Sequence, residues 1–138
     1  AQVVEAGAAF GVAPGANPRT LAAAREAGLS FAPGVATATD IEIAVEHGCK
    51  VLKLFPCEPM GGLPYLKAVS APYAHLGLKY IPLGGVNAKN MAAYLAEPLI
   101  AALGGSWLAP RDQVKAANWD AITALAKEAT DTIKAVRG

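Results

Sequence analysis

The chain has 138 residues, of which 54% are hydrophobic and 17% charged, and its formal net charge is +1. This composition is typical of a single globular domain with a hydrophobic core and excludes an intrinsically disordered chain. The lysines and arginines form no basic run, and no apolar stretch approaches the roughly 18 residues of a membrane span. Neither a nucleic acid nor a membrane is therefore an expected partner.

The cysteines bear on redox compartment and on metal binding. Cys49 and Cys57 are the only two in the chain. Their spacing matches neither a zinc site nor a C-x-x-C redox pair, so we predict reduced thiols and no metal. Because the first residues also contain no basic region of the signal-peptide type, we expect a cytoplasmic protein. No cofactor is expected either.

Five short apolar runs alternate with helix-like segments along the chain. The runs occupy residues 8–15, 29–36, 50–56, 78–85 and 99–105. Residues that favour helix starts lie between or after them, at Asn17-Pro18, Thr39-Asp40, Asn87 and Asn118. After Asn118 the apolar residues recur with a period of about 3.6, which predicts a long final helix.

Strands that alternate with helices are typical of a parallel sheet covered by helices. The spacing between the apolar runs fits successive βα units. Two α/β architectures satisfy this pattern, an open doubly wound sheet and a (β/α)₈ barrel, and five units are too few for a complete barrel. No linker divides the chain, so residues 1–138 are predicted to form one domain.

Lys53 is a charged residue inside the apolar run 50–56. Side chains two apart on a strand share a face, so Lys53 and Phe55 are expected on one side and Leu52 and Leu54 on the other. An amine in apolar surroundings is more often neutral and can attack a carbonyl to form a Schiff base. The alternative is a buried stem whose ammonium group reaches solvent, and position alone leaves both open.

Glycine or proline ends every predicted strand, where ligand sites lie in both architectures. The last two strand ends are Gly84-Gly85 and Gly104-Gly105-Ser106, and the segment WLAPRDQV after them can form a short extra helix. Unpaired amides at such positions favour an anion. We therefore predict a phosphate site there, although each glycine pair alone is also consistent with a tight turn.

The motifs GVAPG, FAPGVAT, KLFPCE, IPLGGV and GGSWLAP occur in this order along nearly the whole chain. This series resembles the 2-keto-3-deoxy-6-phosphogluconate (KDPG/KHG) aldolase family. Its members are (β/α)₈ TIM barrels, usually homotrimers, and metal-free class I aldolases. They cleave the phosphorylated keto acid to pyruvate and glyceraldehyde 3-phosphate in the Entner–Doudoroff pathway.

The resemblance implies the same barrel here, with about five βα units that correspond to strands four to eight. At the matching positions it makes Lys53 the Schiff-base lysine and Phe55 a contact of the pyruvate portion. Pro14, at the end of the first predicted strand, is a further substrate-binding candidate. The phosphate-binding positions implied are Gly84, Gly85, Gly105 and Ser106.

Two departures from the family pattern affect the interpretation. The chain resembles the carboxyl-terminal two-thirds of the family, and the general-base glutamate, a carboxylate-binding arginine and a threonine of the first three strands have no equivalents in it. Leu83 stands where the family commonly has threonine, at a position that faces the substrate. Because an apolar side chain cannot hydrogen-bond a substrate hydroxyl, a 2-keto-3-deoxy-6-phosphogalactonate or a 4-hydroxy-2-oxoglutarate aldolase is an alternative.

Two further alternatives belong to other classes of protein. One is a phosphate-binding barrel isomerase or synthase, and the other is a non-catalytic binding domain. Neither needs an imine on Lys53, so the reactivity of this lysine discriminates between them and an aldolase.

Overall fold

The computed structural model of the protein describes residues 2–138. Its α-helices are α1 (Gln2–Glu5), α2 (Pro18–Glu26), α3 (Ala38–Glu46), α4 (Gly62–Ser70), α5 (Met91–Leu95), α6 (Arg111–Lys115) and α7 (Trp119–Arg137). The strands are β1 (Phe10–Val12), β2 (Ser30–Ala32), β3 (Gly34–Val35), β4 (Val51–Leu54) and β5 (Lys79–Pro82). Short 3₁₀ turns cover Glu58–Met60, Ala71–Leu76 and Ser106–Leu108.

The strands form two parallel sheets. Strands β1 and β2 pair with each other, with Phe10 opposite Ser30. Strands β3, β4 and β5 form the second sheet in that order. Lys53 lies in the middle strand of this sheet, opposite Gly34 on one side and Ile81 on the other.

This architecture contradicts the expected five-unit portion of a (β/α)₈ barrel. Within residues 2–138 the molecule has two small parallel sheets, of two and three strands, and seven α-helices. The apolar run 29–36 splits at Pro33 into β2 and β3, which belong to different sheets, because proline has no N–H to offer a ladder.

The predicted fifth strand is also wrong. The run 99–105 forms no strand and contributes only an isolated parallel bridge between Ile100 and Tyr80. Its residues are mostly alanine, leucine and glycine, which have a weak preference for strands. The glycines at its end instead form an irregular segment beside the candidate site.

The core lies between the second sheet and the helices that follow its strands. Leu52 and Leu54 are fully buried there, as the alternation along β4 predicted. The same hydrophobic cluster extends from Val35 to Ala129, which is its member in α7. The two-stranded sheet is less covered, since Phe10 is 66% exposed.

Side-chain caps mark the starts of helices α2, α3 and α7. Asn17 accepts a hydrogen bond from the Arg19 amide at the start of α2, and Asn118 accepts one from Ala121 at the start of α7, as predicted. Helix α5 differs, because it begins at Met91 after Asn90 rather than after Asn87. No helix within the described residues is long and apolar enough to cross a membrane.

Candidate active site

Lys53 lies in the interior of the second sheet, and its side chain is only 9% exposed. Its backbone amide donates to the carbonyl of Pro33 at 2.8 Å, which holds this point of β4 against the start of β3. The Nζ atom lies 4.4 Å from the centre of the Phe55 ring. The two side chains therefore share a face, and the amine lies in apolar surroundings.

The Gly84-Gly85 turn is held from one side by the residues that follow β4. The carbonyl of Leu83 accepts from the Cys57 amide at 2.7 Å, and that of Gly84 accepts from the Glu58 amide at 2.9 Å. A Cβ atom on Gly85 would lie 2.5 Å from the Cβ of Glu58. Because the φ angle of Gly85 is also +92°, glycine is required there.

The same turn leaves three amides without a partner. The carbonyl of Gly85 accepts from the side-chain amides of Asn87 and Asn90, at 3.0 and 3.2 Å. Each carbonyl in a trans peptide points away from the N–H that follows it. The amides of Gly84, Gly85 and Val86 therefore point away from these contacts, and they donate to no acceptor within residues 2–138.

Gly105 and Ser106 lie on the other side of the same cavity. A Cβ atom on Gly105 would approach the ring of Trp107 to 2.2 Å, so only glycine fits beside this tryptophan. Ser106 is exposed and begins a 3₁₀ turn. The extra helix α6 begins later, at Arg111.

The cavity has a volume of about 810 Å³. Its lining residues are Phe55, Leu83, Gly84, Gly85, Val86, Asn87, Gly105, Ser106, Trp107, Pro110 and Arg111. Six of the predicted site residues therefore meet at one cavity, and Phe55 connects it to the amine of Lys53. Pro14 is not among the described residues that line it. The Pro14 carbonyl packs against Gly34 instead.

A partly buried hydrogen-bond chain supports the turn after β4. The Tyr94 hydroxyl donates to the carboxylate of Glu58, and the Cys57 thiol lies 3.2 Å from the same hydroxyl. Burial raises the pKa of Tyr94 and that of Cys57, so both groups remain protonated at neutral pH. This chain attaches α5 to the residues that contact the Gly84-Gly85 turn.

Side chains of the types that bind metals are not clustered among the described residues. No group of three or more His, Cys, Asp or Glu side chains that could hold a metal ion occurs in the part of the chain that the structure describes. Cys49 and Cys57 are free thiols.

Comparison with known proteins identifies the family. The sequence model of the family described as KDPG and KHG aldolase matches residues 1–125.

The chain belongs to this family.

The 2-dehydro-3-deoxy-phosphogluconate aldolase of Treponema pallidum is 40% identical over 127 residues, which are 92% of this chain and 60% of that protein. The structure of the Zymomonas mobilis ZM4 2-keto-3-deoxy-6-phosphogluconate aldolase with 3-phosphoglycerate superposes with a TM-score of 0.82 at 37% identity, covering 93% of this chain and 59% of that one.

A structure of the Legionella pneumophila KDPG aldolase shows pyruvate captured at low pH as a covalent carbinolamine intermediate. It superposes with a TM-score of 0.84 at 36% identity, and the match covers 99% of this chain and 62% of that one. The chain thus spans about 60% of the length of the KDPG/KHG aldolases that it matches.

Sequence reasoning missed several residues of the site. Asn87 was predicted to open a helix, but its side chain holds the Gly85 carbonyl with that of Asn90. An asparagine directly after a glycine turn is itself a signal for such a contact. Arg111 had no local signal, because only the tertiary structure brings it to the cavity.

Proposed function

We propose that the protein is a class I aldolase that cleaves 2-keto-3-deoxy-6-phosphogluconate to pyruvate and glyceraldehyde 3-phosphate through a Schiff base on Lys53. The observation that carries this proposal is the buried amine of Lys53, stacked against Phe55 at the edge of a cavity with unpaired amides. Membership of the KDPG/KHG aldolase family supports it. The covalent pyruvate intermediate of the Legionella relative supports an imine with the same product.

The reaction follows from the chemistry of a lysine amine that attacks a keto carbon. The Lys53 nitrogen adds to the keto carbon to form a carbinolamine, which takes up a proton and loses water to give a protonated imine. A base takes the proton of the hydroxyl two carbons away, and that C–O bond becomes the aldehyde carbonyl. The electrons of the breaking carbon–carbon bond move to the imine nitrogen and form an enamine. Protonation of the enamine carbon and hydrolysis of the imine release pyruvate and free Lys53.

The proton acceptor is expected outside these residues. The family resemblance assigns this base to a glutamate in strands that have no counterpart in residues 1–138. Phe55 would pack against the pyruvate portion and keep water away from the imine.

The far end of the substrate carries the phosphate. Unpaired backbone N–H groups are strong donors to an anion, and a positive φ at successive glycines lets the backbone approach it closely. The residues proposed to bind it are Gly84, Gly85, Gly105 and Ser106. Holding the phosphate would aim the keto carbon at Lys53, so that remote binding energy supports the reacting geometry.

Trapping of the imine tests the assignment of Lys53. The full-length protein would be incubated with pyruvate, reduced with sodium borohydride and examined by intact mass and peptide mapping. We expect one pyruvate adduct, on Lys53, and no adduct or cleavage activity in Lys53→Ala. Lys50→Ala is the matched control, because Lys50 is exposed at the amino end of β4 and should react like wild type.

An unmodified Lys53 in active protein would refute the imine mechanism. A protein that bound phosphate but formed no adduct would instead be an isomerase, a synthase or a binding domain.

A second substrate deserves a direct comparison because of Leu83. This side chain lines the cavity and cannot hydrogen-bond a substrate hydroxyl. We propose 2-keto-3-deoxy-6-phosphogalactonate, the epimer, as the competing substrate, and the non-phosphorylated 4-hydroxy-2-oxoglutarate as a weaker one. Ratios of kcat/KM for the three keto acids would rank them.

We also propose a single domain across residues 1–138, assembly as a homotrimer and a cytoplasmic location. One hydrophobic cluster from Val35 to Ala129 supports the single domain. The trimer rests on the family resemblance, and the location rests on the two cysteines, which the spacing predicts to be reduced thiols. Analytical ultracentrifugation of the full-length protein would test the trimer.

A further inference from the structure

The cavity beside the Gly84-Gly85 turn has one charged lining residue among residues 2–138, and it is Arg111. Arg111 directly follows Pro110 and begins α6, so its position is set by a helix rather than by a loose loop. The turn residues that carry the unpaired amides and Arg111 therefore line the same cavity.

Arg111 has no competing partner in the described part of the chain. The ion pairs found there join Lys67 with Glu97 and Lys127 with Asp131. The neighbouring carboxylate of Asp112 accepts from Gln113 at 3.0 Å. A guanidinium group that lacks a carboxylate partner and borders a cavity is available to an anionic ligand.

The other donors of this cavity are neutral. Backbone amides and the Ser106 hydroxyl fix the orientation of an anion, but they supply only partial charges. A phosphate monoester carries nearly two negative charges at neutral pH, and a planar guanidinium group binds two of its oxygens at once. A full positive charge at the rim of the cavity would balance the phosphate charge that the neutral donors leave uncompensated.

We propose that Arg111 binds the phosphate of the substrate and determines the preference for phosphorylated over non-phosphorylated keto acids. The identity of the substrate rests on the proposed function, whereas binding of phosphate by Arg111 does not.

Binding of inorganic phosphate tests this directly in the full-length protein. The fluorescence of Trp107, which lines the same cavity, reports occupancy, and isothermal titration calorimetry gives the dissociation constant. We expect Arg111→Gln to weaken phosphate binding about tenfold, and Arg111→Lys to lie between this variant and wild type. Lys115→Gln is the matched control, because it removes a cation of the same helix that does not line the cavity.

Kinetics provide the second measurement. In Arg111→Gln the KM for 2-keto-3-deoxy-6-phosphogluconate should rise about tenfold more than the KM for 4-hydroxy-2-oxoglutarate. This difference should shrink at high salt, because salt screens the attraction between the Arg111 guanidinium group and the substrate phosphate. Lys115→Gln should leave the ratio of the two KM values at its wild-type value.

Three results would overturn the proposal: wild-type protein that does not bind phosphate, Arg111→Gln that binds it as tightly as Lys115→Gln does, and equal losses for both keto acids. Failure of the aldolase mechanism would look different. Pyruvate trapping on Lys53 requires no phosphate. A missing adduct together with Arg111-dependent phosphate binding would therefore refute the aldolase mechanism and still support the phosphate-binding role of Arg111.

Discussion

Leu83 combines two properties that matter at the scale of a single residue. Its amide and carbonyl belong to the hydrogen-bonded connection between β5 and the turn after β4, since the amide donates to Leu54 and the carbonyl accepts from Cys57. Its half-buried side chain lines the cavity. The backbone role is independent of the side chain, so the side chain is free to vary with substrate preference.

Leu83→Thr should therefore change specificity. A hydroxyl at this position could hydrogen-bond the substrate hydroxyl of one epimer. We therefore expect kcat/KM for 2-keto-3-deoxy-6-phosphogluconate to rise roughly tenfold relative to that for 2-keto-3-deoxy-6-phosphogalactonate. Leu83→Val is the matched control, because valine has the branched shape of threonine without the hydroxyl. An equal shift in both variants would mean that side-chain size, rather than hydrogen bonding, controls the preference.

Residue-level predictions from sequence succeeded where strand alternation was enough. The pattern around Lys53 predicted that Leu52 and Leu54 face the core and that Lys53 shares a face with Phe55, and the structure confirms both. Alternation along one strand contains no information on what lies across a cavity. Arg111 and Asn90 were missed for that reason.

At the scale of the element, the start of α3 depends on one carboxylate. The Asp40 carboxylate accepts hydrogen bonds from the amides of Ala36 and Thr37 and from the Thr37 hydroxyl, each at 2.9 Å. In the other direction, the Asp40 amide donates to the Thr37 hydroxyl oxygen at 3.3 Å. This capping box joins β3 to α3. The sequence analysis placed the cap two residues later, at Thr39-Asp40, because Thr37 and Thr39 are both suitable N-cap residues for α3.

Asp40→Ala should lower the free energy of unfolding by about 1 kcal/mol, as is usual for a lost helix cap. Urea denaturation at pH 7 would measure it. Glu46→Ala is the control, because Glu46 is an exposed acidic residue of the same helix. A loss as large in Glu46→Ala would show that helix charge, not the cap, is responsible.

The same cap predicts a pH dependence. Partial burial raises the pKa of Asp40, but the hydrogen bonds from Ala36 and Thr37 outweigh it and hold the pKa below its ordinary value. A carboxyl whose pKa is lower in the folded state stabilises the fold above its unfolded pKa and loses this contribution as the pH falls through its folded pKa. The stability difference between wild type and Asp40→Ala should thus narrow below about pH 4. A difference independent of pH would contradict the cap.

At the scale of the whole molecule, Arg137 attaches the end of α7 to the middle of the chain. Its Nε atom donates to the Leu95 carbonyl at 2.8 Å, and an Nη atom donates to the Ile100 carbonyl at 2.8 Å. Ile100 in turn bridges to Tyr80 in β5. The run 99–105 thus remains beside the sheet through this arginine although it forms no strand.

Arg137→Ala should lower the free energy of unfolding by about 1–2 kcal/mol, because the carbonyls of Leu95, Glu97 and Ile100 lose a charged donor. Lys134→Ala, an exposed cation of the same helix, should have almost no effect. Hydrogen exchange at the Ala101 amide, which donates to Tyr80, should also accelerate in Arg137→Ala. Unchanged exchange there would mean that the sheet holds this run without α7.

The sequence by itself determined the features that depend on near neighbours along the chain. These are the alternation of apolar runs and helices, the caps Asn17 and Asn118, the faces of β4 and the motifs that identify the family. It could not determine the division into two sheets or the irregular run 99–105, since strand pairing depends on partners far apart in sequence. Only the tertiary structure decided that Arg111 joins the predicted glycines and Ser106 at the cavity. The turn amides and Arg111 come together because packing between distant elements, and no local pattern, sets their separation.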